Sequence, residues 1–153
     1  MRILVLGATG TDKEKAVSKV LQSLTGTAPP CVDFEHTYLE PTYGGPLFAF
    51  LDAAEQHQRD VWERAWNNLV KDFPVTSGPI VVLLHAVYTR PLYGVRSVLS
   101  VPKIAELAPN LVVTLIDDIY YMRHRTQARA GAQKHRGVPT PAELMEARCF
   151  ETL

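Results

Sequence analysis

The chain has 153 residues, and its 16 Lys and Arg are balanced by 16 Asp and Glu. That length suits one domain whose core hides about two-thirds of the unfolded surface, and a net charge of zero gives no global pull toward nucleic acid or an anionic membrane. The longest apolar runs are strand-sized, well short of the roughly 20 residues of a membrane span. Cys31 and Cys149 stand far apart with no leader ahead of the first strand, so a reduced, cytoplasmic protein is expected.

The chain opens on Arg2-Ile3-Leu4-Val5-Leu6, a β-favouring run cut off by Gly7-Ala8-Thr9-Gly10-Thr11. Ala16, Val17, Val20, Leu21 and Leu24 then recur as one face of a helix. A strand feeding a glycine turn at a helix N-terminus is where α/β proteins hold phosphate, because free N–H groups and the helix dipole both point at the anion. After the loop signal Thr25 to Pro30, Cys31-Val32-Asp33-Phe34-Glu35 alternates like a second strand, with a polar and aromatic tail from His36 to Glu40. Two prolines and two glycines between Pro41 and Pro46 predict an irregular loop. From Leu47 to Val70 the pattern is helical, with Val61, Trp62, Ala65, Trp66, Leu69 and Val70 on the apolar face and Gln58, Asp60, Glu63, Asn67 and Asn68 opposite. Trp62 and Trp66 are read as core, against adenine stacking or a dimer face.

Ser77-Gly78-Pro79 turns into Ile80-Val81-Val82-Leu83-Leu84, a run without alternation that predicts a central parallel strand. Its end delivers His85 and the polar loop holding Tyr88, Arg90 and Arg96, in the layer where open α/β sheets bind ligands. His85 is either a satisfied core histidine or a ligand contact; Arg90 is the better candidate to face an anion. A short helix is expected from Pro102 to Leu107, then a fourth buried strand from Leu111 to Ile116 that ends in Asp117-Asp118. Those carboxylates either hold Mg²⁺ or cap the following helix. That helix, Ile119 to Ala130, carries Arg123, Arg125 and Arg129, and Lys134 and Arg136 continue the series with no acidic residue before Glu143. The patch is either a solvated face or a phosphate clamp, for which arginine geometry is suited. Thr140-Pro141-Ala142-Glu143 has the make-up of a capping box opening a last helix to Leu153.

Four apolar strands separated by helices predict a three-layer αβα sandwich with a parallel sheet of four to five strands, a P-loop NTPase-like fold. Either the last helix ends the fold or a longer protein supplies a fifth strand.

The phosphate-loop pattern G-x-x-x-x-G-K-[ST] laid on Gly7 keeps the first glycine and Lys13, while Asp12 replaces the second glycine and Glu14 the Mg²⁺-binding hydroxyl. The candidate phosphate-binding residues are therefore Gly7, Ala8, Thr9, Gly10, Thr11, Asp12, Lys13 and Glu14, in a degenerate loop. Like-charge contacts at an effective dielectric near 20 cost several kcal/mol each, so Asp12 and Glu14 oppose a triphosphate unless Glu14 itself takes the metal. The same opening also suits an NADP-binding Rossmann domain, with Asp33 or Glu35 at the ribose, but that pattern wants a third glycine where Lys13 stands.

Downstream, Leu84-His85-Ala86-Val87-Tyr88-Thr89-Arg90-Pro91, Val101-Pro102-Lys103-Ile104 and Leu107-Ala108-Pro109-Asn110-Leu111-Val112-Val113 resemble the archaeal-type adenylate kinases over roughly residues 1 to 130. Asp118 matches the acid after the fourth strand of that family, and Arg125 the arginine that opens the lid. The resemblance implies a nucleoside-phosphate kinase fold in which Lys13 bridges the β and γ phosphates of ATP. Glu14, Asp117 or Asp118 would serve Mg²⁺, and Arg90, Arg123, Arg125 and Arg129 would neutralise the transferring phosphoryl group. Asp33, Glu35, His36, Tyr38, His85 and Arg90 would face the acceptor nucleotide. Three functions follow in order: a nucleotide-binding, adenylate-kinase-like phosphotransferase of weak or altered activity; an inactive relative serving as a nucleotide-sensing or scaffolding subunit, alone or as a homo-oligomer; and an NADP-binding protein.

Overall fold

The computed structural model describes residues 1–8, 10–23, 28–90, 94–131 and 139–152, with the side chains of 89, 90, 94, 95, 129–131, 148 and 150–152 left aside. Thr9, Leu24, Lys134 and Arg136 and the side chains of Arg90 and Arg129, all named above, lie outside the described residues.

Strand β1 (Arg2–Gly7) leads to helix α1 (Lys13–Ser23), and β2 (Cys31–Asp33) runs into a π-helical turn (Glu35–Leu39) continued by α2 (Glu40–Tyr43) and α3 (Leu47–Leu51). The long helix α4 (Glu55–Asp72) precedes β3 (Ile80–Leu84), a hairpin of β4 (Tyr88–Arg90) and β5 (Gly94–Arg96), and α5 (Val101–Glu106). Strand β6 (Leu111–Leu115), α6 (Ile119–Gly131) and α7 (Pro141–Thr152) complete the order. Four strands pair in parallel as β2-β3-β1-β6, with helices on both faces. None of the described helices is long and apolar enough to cross a membrane.

Side-chain alternation divides the sheet between two layers. Leu4, Ile80, Val82 and Leu84 pack with Val61, Trp62, Ala65, Trp66 and Leu69 of α4, while Val5, Val81 and Leu83 meet Val17 and Leu21 of α1. Trp62 and Trp66 stack at 5.1 Å and 9°, Phe34 stands against them at 5.5 and 5.3 Å, and neither indole is exposed. They are core, which removes the stacking and dimer readings.

The lower end of the sheet is tied by Arg2, which is buried and, among the described residues, has no carboxylate hydrogen-bond partner. Its guanidinium donates to the carbonyls of Phe73, Pro74 (2.7 Å) and Leu107 (3.1 Å). Phe73 and Leu107 cap the C-termini of α4 and α5, where the helix dipole favours a cation.

Five local expectations are corrected. Residues 41 to 43 are helical, because Pro41 sits in the first turn of α2 where its missing N–H costs nothing. The preceding bond is stretched to the π pattern, Glu40 N–H to Glu35 O, and Gly44 at φ 80° ends the helix. The pattern from Leu47 to Val70 is two helices, because buried Gln58 turns its amide back onto the carbonyls of Phe50, Leu51 and Ala53 at the end of α3. The unalternating run at β6 is a sheet edge, with Leu111 and Val112 about half exposed, and Val20 on α1 is exposed too. The polar loop after β3 contains the β4–β5 hairpin.

Candidate functional site

Gly7 and His85 leave neighbouring parallel strands side by side, since the register pairs Leu6 with Leu84. The phosphate-loop candidate and the acceptor candidates therefore meet at one end of the sheet. Past Gly7 the chain closes tightly. The Thr11 N–H donates to Ala8 O at 2.9 Å, and Gly10, third in that turn, holds φ at 94°, a conformation glycine adopts without strain. Asp12 then accepts the first helical bond from Ala16 N–H, and Glu14 lies exposed in the first turn of α1. Both acids suit a helix N-terminus.

Lys13 is folded back over the end of β1. Its Nζ donates to Gly7 O at 3.1 Å, and it is 5% exposed. A Cβ on Gly7 would stand 3.1 Å from the Lys13 stem, so the glycine makes room for the lysine.

Helix α6 holds the turn from the other side. Arg125 Nε donates to Gly10 O at 2.8 Å, and its Nη2 pairs with Asp117 Oδ2. Asp118 Oδ1 accepts from Tyr120 N–H at 2.8 Å and Tyr121 N–H at 3.2 Å, the cap of α6. Among the described residues no three His, Cys, Asp or Glu side chains converge, so Glu14, Asp117 and Asp118 stand apart, each with its own surroundings. The reason is local: one acid has an arginine, one a helix start, and one faces solvent. Arg123 Nε is buried without a hydrogen-bond partner among the described residues. The space beside the turn, lined by Ala8, Thr11, Thr114 to Asp117 and Met122, measures about 10 Å³, room for about one water.

The acceptor candidates are organised by Glu35. Placed at the start of the π-helical turn, its carboxylate reaches under the end of β3, where Oε1 accepts from the His85 N–H at 2.8 Å and the Tyr88 O–H at 2.9 Å. His85 Nδ1 lies 3.2 Å from the same oxygen. Burial is the largest influence on this carboxyl and pushes its pKa up. The His85 charge and hydrogen bond together with the Lys13 charge outweigh it, bringing the value down to about 2. Glu35 Oε2 and His85 Nδ1 are both enclosed without an aligned hydrogen-bond partner, as is Thr11 Oγ1. Burial and Glu35 raise the Tyr88 phenol well above its ordinary range.

The other candidates are held outward. Asp33 Oδ1 accepts from His36 N–H at 3.1 Å; His36 Nδ1 pairs with Glu40 Oε2 at 2.8 Å, and that bond raises its pKa. Tyr38 donates its hydroxyl to Asp72 at 2.9 Å, and burial followed by this bond pushes its pKa to about 12. A wider groove of about 350 Å³, lined by Glu55, Gln58, Arg96, Ser97 and Val98, opens beside the hairpin. Tyr88 is the site residue that sequence reading missed; its place three residues after His85 was visible, but its partner Glu35 is 53 residues away.

A parallel sheet whose first strand, turn and helix sit beside β3 in the order β2-β3-β1-β6 has the architecture of the P-loop kinases. Among solved structures, the chain is similar to shikimate kinase from Bacteroides thetaiotaomicron, with a TM-score of 0.58 and 15% identity, over 99% of this chain and 77% of that one. At that identity the likeness shows the fold. No family model matches the sequence, and the search of curated proteins found no match.

Proposed function

We propose that this chain is a nucleotide-binding, kinase-like protein that takes ATP as phosphoryl donor. The observation that carries the reading is Lys13, seated against Gly7 at the N-terminus of α1 within a fold matched along 99% of the chain. In this reading Lys13 and the N-terminal amides of α1 receive the phosphates, and Arg123 and Arg125 from α6, with Arg90 and Arg129, neutralise the transferring group. Asp33, Glu35, His36, Tyr38 and His85 border the acceptor. Mg²⁺ accompanies ATP in such chemistry; with no three His, Cys, Asp or Glu side chains converging among the described residues, the phosphates, water and one of Glu14, Asp117 and Asp118 would supply its ligands.

A second reading is favoured by the closed turn. With Thr11 N–H given to Ala8 and Gly10 O to Arg125, two polar groups of the loop are already committed within the protein, as suits an inactive nucleotide-sensing or scaffolding subunit. The NADP reading loses ground, because Lys13 fills the space over Gly7.

Isothermal calorimetry with ATP, ADP, AMP, GTP and NADPH, with and without Mg²⁺, separates the three, and a coupled ADP assay with AMP or shikimate as acceptor separates the first two. The first reading expects ATP to bind and ADP to be released; binding without turnover supports the second. No binding of any nucleotide refutes the first reading and the nucleotide-sensing form of the second, leaving only a scaffold. Replacing Asp12 by Gly and Glu14 by Thr together should raise ATP affinity, and an unchanged affinity refutes the register that puts Lys13 on the phosphates.

A further inference from the structure

Two buried polar atoms at the end of β3 lack aligned partners, and they belong to neighbouring side chains: Glu35 Oε2 and His85 Nδ1. Each is what the other lacks, an acceptor with unused lone pairs and a ring nitrogen able to carry a proton. Nδ1 is already 3.2 Å from Oε1 of the same carboxylate, and the Glu35 side chain is 2% exposed. The carboxylate is fixed in place by the His85 main-chain N–H and the Tyr88 hydroxyl, and it is held ionised by its surroundings. The His85 side chain is 18% exposed, so part of the ring reaches solvent. A buried carboxylate on one nitrogen of an imidazole selects the tautomer that leaves the other nitrogen as an acceptor.

We infer that Glu35 and His85 form a proton-accepting dyad in which Glu35 takes the Nδ1–H and His85 Nε2 receives a proton from a hydroxyl at the end of β3. The inference rests on the kinase-like reading for the identity of the reaction, since Gly7 ends β1 and His85 follows the adjacent strand β3. In that reaction the hydroxyl oxygen bonds to phosphorus as its proton passes to Nε2. The bond from phosphorus to the bridging oxygen breaks, and its electron pair leaves with the nucleoside diphosphate. Among the described residues the charged and titratable groups around the dyad are Lys13 from α1, Tyr88 from β4, Asp33 from β2 and His36 from the π-helical turn that also carries Glu35. His85 is the catalytic residue of the pair, and Glu35 is a positioning residue.

The test begins with the full-length wild-type chain, which needs no variant to fold. Long-range ¹H–¹⁵N spectra of protein labelled at histidine should show neutral His85 as the Nδ1–H tautomer, and Glu35→Gln should shift it toward Nε2–H. With ATP, Mg²⁺ and water as acceptor, His85→Gln should slow ADP release at least about 100-fold and leave ATP affinity within about threefold, whereas His57→Gln on α4 should change neither. An Nε2–H tautomer in the wild type, or ADP release unaffected by His85→Gln, overturns the dyad. If wild-type protein binds no ATP, the kinase reading fails and the tautomer alone decides the dyad.

Discussion

Replacing Gly10 by Ala tests whether the closed turn and helix α6 are as tightly joined as the geometry requires. Gly10 holds φ at 94°, and a left-handed conformation costs a non-glycine residue roughly 1–2 kcal/mol. A Cβ built there lies 2.9 Å from Thr126 Oγ1 and 3.1 Å from Met122 O. The hydroxyl can rotate away, but the carbonyl belongs to the backbone of α6, so overpacking adds about 1–2 kcal/mol. The expected loss is about 2–4 kcal/mol in urea unfolding followed by tryptophan fluorescence, since Trp62 and Trp66 report the core. Thr126→Ala removes the nearer atom and gives up a bond from Oγ1 to Met122 O, which should cost no more than about 1 kcal/mol alone. In the Gly10→Ala background it should recover about 1 kcal/mol, the coupling of residues in contact. A loss under about 0.5 kcal/mol, or strict additivity of the two changes, would refute the reasoning.

Three other outcomes follow from the same contacts. Arg125→Gln frees Gly10 O; its pair with Asp117 is partly solvated, so stability should fall by only about 1–2 kcal/mol. Amide exchange from Gly10 to Lys13 should nevertheless quicken about tenfold, and unchanged exchange would mean that Arg125 does not hold the turn. Arg2→Met keeps the apolar stem but strands the carbonyls of Phe73, Pro74 and Leu107, an expected loss of about 2–4 kcal/mol in denaturant unfolding; a loss below about 1 kcal/mol would show that water replaces the guanidinium. The Glu35 carboxyl is held at about 2 against an ordinary 4.5, so its contribution is complete above pH 4.5 and disappears as pH falls toward 2. That gap corresponds to about 3 kcal/mol, and Glu35→Gln should flatten the acid limb of stability; an acid limb as steep as that of wild type would refute it.

The sequence by itself determined the layers. Ile80 to Leu84 read as an unalternating run because both faces of β3 are covered, and the Thr140 and Glu143 capping box reads directly because its partners are three residues apart. Gly7 and Lys13 were named as candidates from the phosphate-loop pattern, His85 from its place at a strand end, and Glu35 from the Rossmann pattern and the family resemblance. The tertiary structure alone decided what they do to one another. Whether Asp117 meets a metal or an arginine depends on a rotation of α6 that spacing does not encode, and Arg125 reaches Gly10 across 115 positions. An apolar run looks alike in the middle of a sheet and at its edge, so Leu111 to Leu115 gave no sign that one side is open. In the sequence Glu35 is one of several polar residues after the second strand, with nothing to set it apart from Asp33 or His36. Only when the chain after Phe34 winds into a π turn and β3 brings His85 and Tyr88 alongside does that carboxylate become buried, ionised and the centre of the candidate site.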